Sequence, residues 1–265
     1  MAYRSVWKGF LKLALITCPV KLYAATSEAD RQKFTTVNGK TGNKVDFQRV
    51  DSVTGEPVES ADLAKGIEIA AGKYAIVTAE EIEGVAPPST HTIDIQELVP
   101  RGGISWLFPD ALYYLGPEGL AAGEAFALLR DGIRKSRLAA LGQLTTGTRE
   151  HLVMIEPGEK VMRLSTLRYA GEVRSEDDCF PKLADIAAPA EYSDAVAAVL
   201  ERRREDKFNA SRFTDRYAAE LGQLVIDKVA GNMVRRTATP PPQLVDLEKA
   251  VRRSAKFGGK RGRAA

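Results

Sequence analysis

The chain has 265 residues, 44% of them hydrophobic, with 38 Lys or Arg against 35 Asp or Glu and only two cysteines. That length and apolar content make a protein that is globular for most of its course. No apolar run approaches the roughly 18 residues of a membrane span, no small-residue cleavage pattern follows the lysine-interrupted N-terminus, and the distant Cys18 and Cys179 build no disulfide framework. The expectation is a cytoplasmic protein, mature from Met1, with buried free thiols. The net charge of +3 is uneven: residues 235–265 carry nine Lys or Arg against Asp246 and Glu248, and the first fifty carry nine against Glu28, Asp30 and Asp46. Affinity for a polyanion is therefore placed locally, in a basic N-terminal region and a basic tail.

In chain order, Arg4 to Thr26 joins two apolar, β-compatible runs carrying isolated lysines, and two strands broken near Pro19 are expected. Short β-compatible runs follow to about Val99, among them Lys44 to Val50 and Lys73 to Val77, separated by Gly, Pro, Asn and Asp turns. Thr78-Ala-Glu-Glu81 reads as a capping box opening a short helix. Thr92 to Leu98 and Ala111 to Leu115 read as strands. Glu124 to Arg137 reads as a helix with Phe126, Leu128, Leu129 and Ile133 inward and Arg130, Arg134, Lys135 and Arg137 outward. Strands resume at Leu138 to Leu144, Glu150 to Ile155 and Val161 to Tyr169, and the acidic run Glu176-Asp177-Asp178 reads as a solvated loop.

Beyond about Pro189 the period becomes helical. Ser193 is expected to cap a helix running through Arg204, and a second spans about Arg212 to Ala230, stopped by Gly231-Asn232. A Pro-rich linker at 237–242, a short amphipathic helix from Leu244 to Ser254 and a Gly- and Arg-rich, disordered end complete the chain. No internal repeat is apparent.

Most catalytic chemistry lacks its parts. His91 and His151 are the only histidines, so no His/Cys cluster has zinc spacing. Gly39-Lys40-Thr41 has Phe34 where a phosphate-binding loop needs its first glycine, Gly103-Ile-Ser105 lacks the second glycine of a nucleophile elbow, and no dinucleotide fingerprint occurs. His151 beside Glu150 reads as a structural histidine in a strand. No enzyme, cofactor, metal or small-molecule substrate is expected.

The opening Arg4-x-x-Trp7-x-Gly9 and Pro19-Val20-Lys21-Leu22-Tyr23 resemble the start of the bacterial Ku proteins, the DNA-end-binding factors of non-homologous end joining. Further echoes keep the family's order: Lys65-Gly66, Gly72-Lys73-Tyr74, Glu80-Glu81-Ile82, Thr92 to Ile95, Tyr113-Tyr114-Leu115, Ala127 to Arg130, Arg149 to Leu152, Leu167 to Arg174, and Phe208, Asp215-x-Tyr217 and Lys228-x-x-Gly231. Where many relatives carry a Cys-x-x-Cys pair this chain has Asp51 and Thr54, so no metal-held hairpin is expected there.

The resemblance implies a mixed α+β fold: a Ku-core β-barrel with peripheral helices over residues 1–190, a helical arm over 191–235, and a linker, short helix and basic tail over 236–265. It also implies a homodimeric ring threaded by double-stranded DNA ends, associated with the nucleoid, that recruits and stimulates a multifunctional end-joining ligase of the ligase D type. Charge and resemblance together select Lys12, Lys21, Lys40, Lys44, Arg149, Arg163 and Arg168 as phosphate contacts, with Lys256, Lys260, Arg261 and Arg263 as a mobile polycation. The apolar stripe Leu244, Val245, Leu247 and Val251 is the expected ligase contact. The rival functions are a Mg²⁺-dependent repair nuclease, which needs clustered carboxylates, and a chromatin-type architectural binder without end preference.

Overall fold

The computed structural model describes residues 3–29, 31–87, 91–182 and 190–231. In chain order its elements are β1 Trp7–Leu13, β2 Ile16–Ala24, β3 Lys65–Ala70, β4 Lys73–Val77, α1 Ala79–Val85, β5 Thr92–Pro100, β6 Pro109–Pro117, α2 Gly123–Ser136, β7 Leu138–Thr146, β8 Arg149–Pro157, β9 Met162–Leu167, α3 Glu176–Cys179, α4 Ala190–Arg203 and α5 Arg216–Val229. They fall into two units that divide between Ser175 and Glu176. No helix among the described residues is long and apolar enough to cross a membrane.

Seven strands of the first unit close a barrel in the order β1-β2-β6-β9-β8-β7-β5. Every pairing is antiparallel except β1 with β5. Closure removes the sheet edges, and strand alternation sends one apolar set inward. Leu11, Val20, Leu22, Ile93, Leu115, Leu144, Val153, Ile155, Met162 and Leu164 are buried there. Helix α2 contributes Phe126, Leu129 and Ile133 to the same core, spaced by three and four residues as one helical face requires. Leu128, expected inward, is 64% exposed, because it falls outside that stripe. Cys18 is buried with its thiol donating to the Ala122 carbonyl at 3.4 Å, and burial pushes the thiol pKa up. Cys179 is exposed.

The break between the first two strands lies at Ala14-Leu15, not near Pro19. Leu13 faces Ile16 across a two-residue link, and Ala14 adopts φ 51° without glycine or asparagine to signal it. Pro19 sits within β2. Its carbonyl accepts from the Glu118 amide at 2.9 Å, on the side where β6 has just ended at Pro117. The donor that proline lacks therefore falls past the end of the neighbouring strand, where the ladder has no need of it.

Gly9 explains the Trp-x-Gly opening. A Cβ there would stand 2.1 Å from the His91 carbonyl oxygen and 2.4 Å from the Trp7 ring. The Phe10 amide donates to that same carbonyl at 2.8 Å, so the β1 backbone must come this close. Gly142 plays a like part on β7, where a Cβ would meet the Asp94 carbonyl oxygen at 2.5 Å.

Strands β3 and β4 pair only with each other. The strand expected over Lys44 to Val50 is absent. Two turns stand in this region, each closed by a single bridge, Val37 with Lys44 and Val50 with Pro57. They are built alike. Asn38 Oδ1 accepts from the Lys40 and Thr41 amides and Thr41 Oγ1 from Asn43; Asp51 Oδ1 accepts from Val53 and Thr54, and Thr54 Oγ1 from Glu56. Gly42 and Gly55 follow with φ 75° and 74°. Asn-Gly-Lys-Thr-Gly-Asn and Asp-Ser-Val-Thr-Gly-Glu are thus a short internal repeat that the sequence reading passed over. At Asp51 and Thr54 side-chain oxygens help hold the turn by accepting backbone amides.

The amides of Thr54 and Val53 hold the Asp51 carboxyl below the usual carboxylate range. Its folded pKa is depressed, so its contribution is present above the ordinary Asp value of about 3.9 and is lost as pH falls through the lowered one. Carboxyl-carbon NMR should show Asp51 titrating below the ordinary Asp range. Asp51→Asn, which keeps the acceptor oxygen, should preserve exchange protection of the Val53 and Thr54 amides, while Asp51→Ala loses it. An ordinary titration midpoint for Asp51, or protected amides in Asp51→Ala, would refute this account.

The capping box at Thr78 and Glu81 forms as expected, with both reciprocal hydrogen bonds. The second unit departs from expectation at its start. Glu176-Asp177-Asp178 opens the short helix α3, its carboxylates favourable at a positive helix start, and Ser193 lies inside α4, which begins at Ala190. Helix α5 begins later than expected, because Asp215 caps it by accepting from the Ala218 amide. Gly231 ends that stretch with φ 78°.

Candidate nucleic-acid interface

The strand cations have different fates on the outer surface of the barrel. Lys12 on β1 lies 3.3 Å from Asp94 on β5. Lys21 on β2 lies 3.1 Å from Glu118, which Lys8 also approaches at 3.7 Å. Lys44 is 3.8 Å from Asp46, both exposed. Lys40, in the first repeated turn, and Arg149, at the start of β8, are exposed and form no ion pair among the described residues. Arg168 folds back on its own chain: its guanidinium donates to the Leu107 and Pro109 carbonyls at 3.2 and 2.7 Å and pairs with Asp110. It ties the approach to β6 against the end of β9. Lys256, Lys260, Arg261 and Arg263, and Leu244, Val245, Leu247 and Val251, lie outside the described residues.

Arg163 has the most cationic surroundings. It lines an open hollow of about 710 Å³ with Arg101, Arg134 and Lys160, against one lining carboxylate, Glu159. Four stretches of chain supply these cations: the end of β5, α2, the β8–β9 turn and β9. Arg163 points outward from β9, directly across from Glu156 on β8 and Tyr114 on β6. Glu156 holds two guanidiniums, Arg163 at 3.6 Å and Arg101, just beyond β5, at 3.1 Å. Arg134 on α2 donates to the carbonyls of Gly158 and Glu159, the latter at 3.1 Å, while Arg130 donates to Lys160 O at 2.8 Å. The arginines of one helix thereby pin the β8–β9 turn that carries Lys160.

This electrostatic frame is built before any ligand arrives. The Arg130 guanidinium, hydrogen-bonded to Asp131, holds that carboxyl below its usual range and is itself raised by the same bond. The hollow thus presents guanidinium forks and one ammonium on strand, helix and turn positions held by backbone and carboxylate contacts. Such donors suit phosphate oxygens and carry little base code. Among the described residues no group of three His, Cys, Asp or Glu side chains is arranged to hold a metal ion.

Sequence reasoning selected Arg163 but not Arg101, Arg134 or Lys160. Arg134 read as the solvated face of a helix, and the other two stood in turns with no motif. Their convergence depends on β9 pairing with β6, on Arg101 reaching Glu156 55 positions away, and on the α2 arginines reaching the β8–β9 turn 24 to 30 positions on.

A family model described as the Ku70/Ku80 beta-barrel domain matches residues 12–195. A protein of Bradyrhizobium sp. (strain ORS 278), named non-homologous end joining protein Ku, is 37% identical over 98% of this chain and 90% of its own length. Proteins of the same name from Cereibacter sphaeroides and Pseudomonas aeruginosa are 36% and 29% identical over 95% and 97% of this chain, and 94% and 90% of their own lengths.

Proposed function

This chain belongs to the Ku family, and from that membership we propose that it is a non-catalytic DNA-binding factor of non-homologous end joining. It holds the ends of broken double-stranded DNA without reading their sequence. It acts as a homodimer whose two barrels close a ring around the duplex, on nucleoid DNA in the cytoplasm, and its residues 236–265 recruit and stimulate an end-joining ligase of the ligase D type. The observation that carries the DNA-binding part is the hollow of Arg101, Arg134, Lys160 and Arg163. Its cations sit on elements fixed by hydrogen bonds, so they meet a phosphate backbone with little left to order. Affinity then comes from counterion release, which every sequence supplies equally. End preference comes from topology, since a closed ring loads at a terminus and not along an unbroken duplex.

The test compares binding at moderate salt to a linear duplex, to the same DNA as a covalently closed relaxed circle, and to linear DNA blocked at both ends. Binding confined to open ends is the expected result. Equal binding to all three would overturn the ring and leave an architectural protein without end preference.

A further inference from the structure

The cationic hollow does not end at Arg163. Tyr114 and Val161 line both it and a second hollow of about 730 Å³, whose other walls include Tyr3, Arg4 and Tyr23. Strand register accounts for the continuity. Tyr23 on β2 is directly across from Tyr114 on β6, and Tyr114 is directly across from Arg163 on β9. All three project from the outer face, because their sequence neighbours Leu22, Leu115, Met162 and Leu164 are buried in the barrel. Tyr114 is 47% exposed and Tyr3 88% exposed. The two tyrosine rings therefore lead directly to Arg163, which shares Glu156 with Arg101.

A strand face that only had to be soluble would alternate polar groups, and one that only had to bind duplex phosphates would need no exposed tyrosines. Rings leading into a phosphate-binding cluster are what unpaired nucleotides require: each base has an apolar face to cover and each phosphate a charge to neutralise. A paired duplex keeps its bases stacked on one another and cannot use the rings.

From this arrangement we propose that the stripe binds the single-stranded overhang of a DNA end, with bases stacked on Tyr114 and Tyr23 and phosphates held by Arg163 and Lys160. The proposal rests on the end-binding reading and adds a second substrate element to it. Stacking on tyrosine tolerates any base, so the overhang is bound regardless of sequence. Arg4, at the far rim, is exposed and forms no ion pair among the described residues, which leaves it free for a further phosphate.

The experiment uses the full chain and a duplex closed at one end by a hairpin. The open end is either blunt or carries a short single-stranded extension containing 2-aminopurine. The wild type should bind the extended end about tenfold or more tightly than the blunt one, with 2-aminopurine emission quenched by stacking. Tyr23→Leu/Tyr114→Leu should lose that advantage and the quench, and Tyr23→Phe/Tyr114→Phe should retain both. Equal affinity for the two ends in the wild type, or an advantage that survives the leucine pair, would overturn the proposal. Failure of the wild type to bind the blunt end, with the extension still bound, would reject the end-binding reading instead and leave the stripe standing.

Discussion

Phe126→Ala should destabilise the barrel unit by about 3–5 kcal/mol, the largest stability change expected from any one side chain of α2. Phe126 is 2% exposed and heads the stripe completed by Leu129 and Ile133. The helix packs against β2, β6, β7 and β8, strands that come from both halves of the barrel sequence. Those strands are also held to one another by closure, so they cannot collapse into the space the ring would leave, and the cavity cost adds to the lost burial. The control is Leu128→Ala on the same helix. Leu128 is 64% exposed and should cost no more than about 0.5 kcal/mol. Denaturant unfolding followed by Trp7 emission in a Trp106→Phe background reads both, since Trp106 is 84% exposed and would otherwise report solvent. Similar costs for the two substitutions would mean that the helix does not bury the face described here.

The contrast between Phe126 and Leu128 also marks how far the sequence could be read. Local pattern placed α2 within one residue and named four inward residues of which three are buried, because a 3.6-residue period is written in consecutive positions. It also placed β5 to β9 near their observed positions, and the order of family-like segments indicated the barrel. Local pattern failed where a conformation had no dedicated residue, as at the Ala14-Leu15 link, or where a side chain could substitute for a ladder, as in the repeated turns at Asn38 and Asp51. It could not assemble the hollow, because Arg101, Arg134 and Arg163 are joined by strand pairing, by Glu156 and by helix packing, and by nothing local. The tyrosine row was equally hidden: Tyr23 and Tyr114 stand 91 positions apart, and only the β2–β6 register puts them side by side.

That assembly sets what charge removal should do to DNA binding. Lys160→Gln/Arg163→Gln takes two cations from the hollow and leaves Arg101 to keep Glu156 paired, so the substitution does not strand a half-buried carboxylate. If each cation neutralises one phosphate, the log–log slope of affinity against salt should fall by about 1.8, at about 0.9 per contact. At roughly 0.15 M salt that slope alone corresponds to about a 30-fold loss of affinity, uniform across DNA sequences. Lys12→Gln/Lys21→Gln removes the same formal charge from positions that Asp94 and Glu118 already occupy. Both lysines sit closer to their carboxylates, at 3.3 and 3.1 Å, than Arg163 does to Glu156 at 3.6 Å, and Lys160 forms no ion pair among the described residues, so losing the two lysines should change the slope less. Titrations at four or more salt concentrations with one blunt duplex separate the two pairs. Equal slopes for both would show that the hollow has no privileged part in holding DNA and that the barrel binds through its charge at large. A smaller slope for the Lys160 and Arg163 pair alone would instead locate the phosphate backbone over β9 and the β8–β9 turn, beside the tyrosines that flank them.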